Sequence, residues 1–468
     1  MGFGKMNCGV ELRSATRMGR RLSDAALRFK IPHMRATFSL PLLLLLACEA
    51  ICADVAKPRP LMKDFIGLNV HTVQFKPELY APVTRVLRNY HPMKWDFADD
   101  TSAATTFPLA ANRVNWGQMY GSWRKAGYRT HVSLMFDDIA PGSWKNIERD
   151  ANAYGLAFAK AFGPSAKEPL IEGVEIGNEP GKYDDATYRK LFEAMAHGLR
   201  AGDPKLRIAT CAANLGPSGR YSKSVDCIAG LDALWDIVNI HCYAEAEPWP
   251  TWRRSYPEDP ATKFMENVGH VLKWREEHAP TKEVWVTEFG YDASTKPPPA
   301  TGDFAKWQCS TEQQQAMWSV RSFLLLARLG VDRAHLYFFN DSDVPHLHGS
   351  SGITRNFEPK PAFHALAWLQ RSLGEYRFAR MDREDANECY AYEFTHGTQP
   401  AKRAWVVWRT AGAPRVVRLF NDPLRVVRAE RMPLVAGDAE KVEVRQEIEG
   451  YMAVEASERP VIIWLEKP

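Results

Sequence analysis

Long apolar runs are scarce in this 468-residue sequence. The one conspicuous run, Leu40-Pro41-Leu42-Leu43-Leu44-Leu45-Leu46-Ala47, is too short to cross a membrane as a helix. Cysteine is sparse as well. Cys8, Cys48, Cys52, Cys211, Cys227, Cys242, Cys309 and Cys389 include no Cys-x-x-Cys pair, which argues against structural zinc. Charge of one sign is lacking in the body of the chain. Residues 1–53 hold 8 Lys+Arg against 3 Asp+Glu, and the remainder holds 52 basic against 53 acidic residues. The net +4 is therefore a leader effect, and no basic patch points to nucleic acid as a partner. No Gly-x-Gly-x-x-Gly follows the first strand-like segment, which argues against a dinucleotide fold. Asp341-Ser342-Asp343 and His346-Leu347-His348 fall short of the ligand count of a calcium or zinc site and read as a solvated loop. No metal or other cofactor is expected.

What is present begins with an export pattern. The apolar run is followed by Ala50-Ile51-Cys52-Ala53, small residues suited to cleavage before Asp54. Met34 offers a later start, with Arg35 as the charge ahead of the run. Leu45-Leu46-Ala47-Cys48 also resembles a lipoprotein box, which would anchor the chain at Cys48. The expectation is an exported protein, periplasmic or extracellular, held at the cell surface if Cys48 is lipidated. Five cysteines then remain, so at least one is free or bonds to another chain; Cys211 and Cys227 are open to pairing.

From Asp64 onward strand-like and helix-like segments alternate. Strands are expected over Phe65–His71, Met93–Phe97, Thr130–Phe136, Ile171–Ile176, Arg207–Thr210, Ile237–Tyr243, Val284–Gly290 and Ala334–Phe339. Helices are expected over Pro77–Tyr90, Trp116–Gly127, Lys145–Phe162, Asp184–Arg200, Ser222–Leu231, Ala261–Glu277, Thr311–Leu329 and Pro361–Gly374. Eight such repeats predict an α/β fold, a (β/α)8 TIM barrel over residues 65–376. After Arg377 the period changes to short strands, among them Ala404–Trp408, Val416–Phe420 and Val461–Trp464. This predicts a small C-terminal all-β, sandwich-like domain over 377–468, behind a leader at 1–53 and a linker at 54–64.

Two strands end in an acid. Ile171-Glu172-Gly173-Val174-Glu175-Ile176-Gly177-Asn178-Glu179-Pro180 is an apolar strand closing on a polar pair, with Pro180 preventing its continuation. Val284-Trp285-Val286-Thr287-Glu288-Phe289-Gly290 has the same form. Asn-Glu-Pro ending the fourth strand with Thr-Glu ending the seventh resembles clan A of the glycoside hydrolases, in particular its cellulase-like and β-xylosidase-like branches (families 5 and 39). The resemblance implies a retaining O-glycosyl hydrolase acting on an oligo- or polysaccharide, with Glu179 as acid/base and Glu288 as nucleophile. The residue types agree with that chemistry. Retention needs two carboxyls about 5–5.5 Å apart, one protonated and one ionised, and like-charge proximity drives the two apart in pKa.

The resemblance also implies that Asn178 binds the sugar 2-hydroxyl, that Tyr243 donates to the nucleophile, and that His241 lines the pocket. Glu175 shares the inward face of Glu179 and is expected in an interior ion pair. The clan's tryptophan at the end of strand eight is missing, so Phe339 or Tyr337 is expected as the sugar floor. No arginine stands at the expected end of strand two, where Trp95-Asp96 is found instead. His71 is expected to line the pocket, and Trp249, Trp252 and Trp144 are candidate outer platforms. Two other classes compete: a non-catalytic carbohydrate-binding barrel, and a barrel lyase or isomerase. The second needs a metal-ligand set or a strand-end base lysine, and neither is found.

Overall fold

The computed structural model describes residues 57–421 and 423–467. The leader, with Met34, Cys48 and the cleavage region at Ala53, lies outside the described residues. No helix among the described residues is long and apolar enough to cross a membrane.

Eight parallel strands close into a barrel: β1 (Ile66–His71), β2 (Val86–Pro92), β3 (Arg129–Met135), β4 (Gly173–Ile176), β5 (Arg207–Asn214), β6 (Ile237–His241), β7 (Glu283–Phe289) and β8 (Arg333–Leu336). Each pairs with the next, β8 pairs with β1, and the β4–β5 pairing closes the ring. Outside it run the helices α1 (Trp116–Lys125), α2 (Ile147–Phe162), α3 (Asp185–Gly202), α4 (Phe264–His278), α5 (Glu312–Leu329) and α6 (Pro361–Leu373). Four of the starts are capped by side chains, as the sequence dictates. Asn115, Asn146 and Asp184 each accept an N–H from three residues on, and Thr311 and Gln314 form a reciprocal capping box. Gly330 ends α5 at φ 104°, a left-handed conformation that suits glycine.

Three expectations fail here. The segment expected as helix Pro77–Tyr90 is helical only over Pro77–Tyr80, and its second half is β2. Pro82 is the physical reason, since a proline cannot sit inside a helix without losing a hydrogen bond. Met93–Phe97, expected as strand two, is instead a loop with one helical turn at Lys94–Phe97. Ser222–Leu231 forms a two-residue strand and a 3-10 turn rather than a helix.

Beyond α6 the chain builds two antiparallel sheets. One contains β9 (Tyr376–Glu384), β10 (Tyr390–His396), β11 (Lys402–Trp408), β13 (Arg425–Arg431) and β15 (Val461–Glu466); the other contains β12 (Arg415–Phe420) and β14 (Tyr451–Ala456). Strand alternation divides the larger sheet's two faces. Ala391, Trp405, Val407, Val461, Ile463 and Leu465 pack against the smaller sheet. Tyr390, Tyr392, Phe394, Val406, Trp408 and Trp464 join the core of the barrel's helical shell.

Candidate active site

Strand β2 brings Arg88 and Tyr90 inward, two residues apart. Arg88 is fully buried and uses all five of its N–H donors. Nε donates to Glu175 Oε1 (2.8 Å) and Nη2 to Glu175 Oε2 (2.6 Å) and Asn178 Oδ1 (2.8 Å). Nη1 donates to Asn69 Oδ1 (2.9 Å) and Glu288 Oε1 (3.0 Å). The interior ion pair expected for Glu175 is therefore with Arg88, and the same guanidinium reaches the ends of β4 and β7. Burial works against the Glu175 carboxylate, but Arg88 and the nearby His131 outweigh it and hold its pKa below the ordinary range.

Glu288 is nearly buried and fully engaged. Tyr90 donates to its Oε1 at 2.6 Å and Tyr243 to its Oε2 at 2.8 Å. His241 pairs with Glu288 in the β6–β7 register, and its Nδ1 lies 3.6 Å from Glu288 Oε2. Burial raises the pKa of Glu288, yet His241, Arg88 and the two hydroxyls bring it down to about 2. Glu179 differs. Its side chain is 26% exposed against 8% for Glu288, and its Oε1 meets His241 Nδ1 at 2.8 Å. Burial lowers the pKa of His241, while Glu288 and Glu179 together raise it above the ordinary value. The backbone N–H groups of Asn178 and Glu179 both donate to Asp137, at the end of β3. Burial pushes the Asp137 carboxyl up to about 6.

Single ligating atoms of Glu179, His241 and Glu288 lie within 4.8 Å of one another. Such a trio has the size of a metal site, but the Arg88 guanidinium against Glu288 opposes a cation there.

An aromatic wall borders Glu288. His71 stacks on Tyr90 (centroids 4.7 Å apart) and meets Phe338 edge-on at 5.3 Å. His348 packs edge-on against Tyr243 (4.8 Å) and Tyr337 (5.6 Å). Burial holds both His71 and His348 at a pKa of about 4, so both rings are neutral at neutral pH. His348 thus belongs to the site, not to a solvated loop. Phe339 does not. It is fully buried behind the barrel between Tyr80 and Phe357, because successive residues of an extended segment face opposite ways. Trp144 is also core, its Nε1 donating to Tyr183 (2.8 Å). Trp249 stands 63% exposed in the arm between the short strands Glu245–Glu247 and Arg253–Arg254. A cavity of about 700 Å³ beside His241 and Tyr243 is lined by Asn214, Glu245, Lys263 and Asn267. All five described cysteines are free, Cys211 and Cys227 included.

Arg88, Tyr90, Asp137, Phe338 and His348 are the site residues that sequence reasoning missed. The signal for the first two was Pro82 followed by the alternation Val86-Leu87-Arg88-Asn89-Tyr90.

No family model matches the sequence, and no curated protein does. Solved structures do match. A family 39 glycoside hydrolase from Bacteroides cellulosilyticus superposes with a TM-score of 0.62 at 18% identity, covering 88% of this chain and 81% of that one. The fold is one shared with this glycoside hydrolase, a closed eight-stranded parallel barrel followed by antiparallel sheets. A glucosidase from Croceicoccus marinus (TM-score 0.59, 11% identity) and a family 51 α-L-arabinofuranosidase from Bifidobacterium longum (0.58, 12%) each cover 88% of this chain and 98% of their own. The barrel expected from the alternation of strands and helices is thus found, and one neighbour is a family 39 enzyme. The barrel's strand-end acids stand where this fold keeps its chemistry, at the carboxyl ends of the strands.

Proposed function

We propose that the protein is a retaining glycoside hydrolase of β-linked glycans, with Glu288 as nucleophile and Glu179 as acid/base. The observation that carries this is the pairing of two strand-end carboxylates with oxygens within 4.8 Å and unlike surroundings. That spacing suits direct attack on the sugar; inverting enzymes place their carboxyls about 6.5–9.5 Å apart to admit a water.

A Glu288 oxygen bonds to the anomeric carbon as the bond to the leaving oxygen breaks, and the Glu179 proton goes to that oxygen. Glu179, now a carboxylate, takes a proton from water. The water oxygen bonds to the anomeric carbon and Glu288 leaves as a carboxylate, with the starting configuration restored. Tyr90, Tyr243 and Arg88 keep Glu288 ionised and aimed. Arg88 occupies Asn178 Oδ1, which leaves the Asn178 amide N–H groups for a sugar hydroxyl. His71, Tyr337, Phe338 and His348 wall the sugar, and Trp249 is an outer contact. Export by the leader belongs to the same reading, with cleavage after Ala53 and lipidation at Cys48 as the two alternatives; the N-terminal residue of the secreted protein tests it.

The test is product release from a panel of polysaccharides and aryl β-glycosides, run for wild type and Glu288→Gln, with the first-formed anomer followed by NMR. Loss of roughly 10³-fold or more in the variant and a β product are expected. Activity kept in Glu288→Gln, or an inverted product, would overturn the reading. Glycan binding without any product would mark a binding barrel.

A further inference from the structure

Strand β4 ends at Ile176, and Gly177 reverses the backbone at φ 89°, with the Phe136 ring 2.9 Å from where a Cβ would sit. Asn178 and Glu179 follow. In a continuing strand their N–H groups would bond to a neighbouring strand. Here one side chain takes both. Asp137 Oδ2 accepts from the N–H of Asn178 at 3.2 Å, and Oδ1 accepts from that of Glu179 at 2.5 Å. One carboxylate thus fixes both peptide planes from which the Asn178 and Glu179 side chains leave. On the far side, Asn178 is held by Arg88 and Glu179 by His241 (2.8 Å each).

We propose that Asp137 is a positioning residue for the proton donor: it sets where the Glu179 carboxyl stands over the leaving oxygen. This rests on the reading of Glu179 as acid/base. Asp137 acts through the backbone, since both of its oxygens are taken by the N–H groups of Asn178 and Glu179. Burial raises its pKa to about 6, and the two N–H dipoles that converge on it offset part of that rise. A displacement of about 1 Å at a reacting group can cost about 100-fold. That cost falls on proton transfer alone, so it depends on the leaving group. A basic sugar hydroxyl needs the proton to depart. A dinitrophenolate does not.

The experiment compares kcat/KM on two substrates of the sugar that responds in the panel: its disaccharide and its dinitrophenyl β-glycoside. Asp137→Asn keeps the size but sets an NH2 against one of the two N–H donors. It should lower kcat/KM on the disaccharide by about 10- to 100-fold, and by at least tenfold less on the dinitrophenyl glycoside. Equal losses on both would reduce Asp137 to a structural role, and no loss on either would remove it from the machinery. Glu179→Gln is run alongside. If it shows no such leaving-group dependence, the acid/base reading of Glu179 fails, and that failure is separate from a failure of Asp137 alone. Should Asp137→Asn lose its thermal transition, Asp137→Ser, which keeps an acceptor in less volume, carries the same comparison.

Discussion

Glu288 and Glu179 are the same residue type in the same barrel, and their neighbours separate them. Glu288 receives two phenol hydroxyls and a guanidinium within hydrogen-bond range, whereas Glu179 meets one imidazole. Hydrogen bonds to a charged group contribute about 1.5–3 kcal/mol each. Tyr90→Phe and Tyr243→Phe should each lower kcat/KM by about tenfold to a hundredfold. Each also removes a donor to the ionised form, so the pKa of Glu288 rises from about 2 and the acid limb of kcat/KM moves to higher pH. A pH–rate profile of either variant superimposable on wild type would contradict the assignment. Arg88 is the residue on which the site most depends. Arg88→Ala strands the fully buried Glu175, and breaking a buried pair costs about 3–5 kcal/mol. The urea midpoint should fall accordingly; a change below about 1 kcal/mol would show that Glu175 finds another partner.

Elements matter where strands present what only the barrel interior brings together. Toward the amino ends of the strands, the interior is filled by His131 and His335 around Trp285, with ring centroids 4.7 and 5.9 Å from the indole. Gly67 on β1 makes room, since a Cβ there would come within 2.3 Å of the His335 ring. Gly67→Ala should cost about 1–3 kcal/mol through overpacking. In the Gly67→Ala/His335→Ala double variant, part of that loss should be absent, and the urea midpoints of the four proteins test the coupling. Strictly additive losses would show that the two residues do not compete for space. The same strand logic explains the site. Arg88 lies opposite Asn69, and Tyr90 opposite His71, in the β1–β2 register.

At the scale of the molecule, barrel and sandwich share a core. Arg321 of α5 pairs with Glu258 with both side chains fully buried, and Trp408 of β11 donates to the same carboxylate at 2.6 Å. The larger sheet buries Tyr392, Phe394 and Trp464 against the barrel's shell. A chain cut after α6 would expose that face and leave Arg321 and Glu258 half-solvated. The expectation is one cooperative thermal transition for the intact protein and insoluble or unfolded protein on removal of residues 376–468. Two separate transitions, or a soluble folded barrel fragment, would show that the two parts are independent.

The alternation of strands and helices, the switch to short strands near Arg377, and the two strand-end glutamates were all legible in the sequence. Each is a local pattern: a hydrophobic period, a cap, or an acid placed where a strand runs out. The place of β2 was legible in principle through Pro82, but its apolar spacing imitates a helix. Tertiary structure alone decided that Arg88 joins β1, β4 and β7, because its five acceptors come from four residues distant in sequence. It also decided that His348 reaches Tyr243, that Phe339 turns into the core, and that Asp137 grips the turn before Pro180. Loops carry no period, so nothing local states which way their side chains face once the barrel has closed.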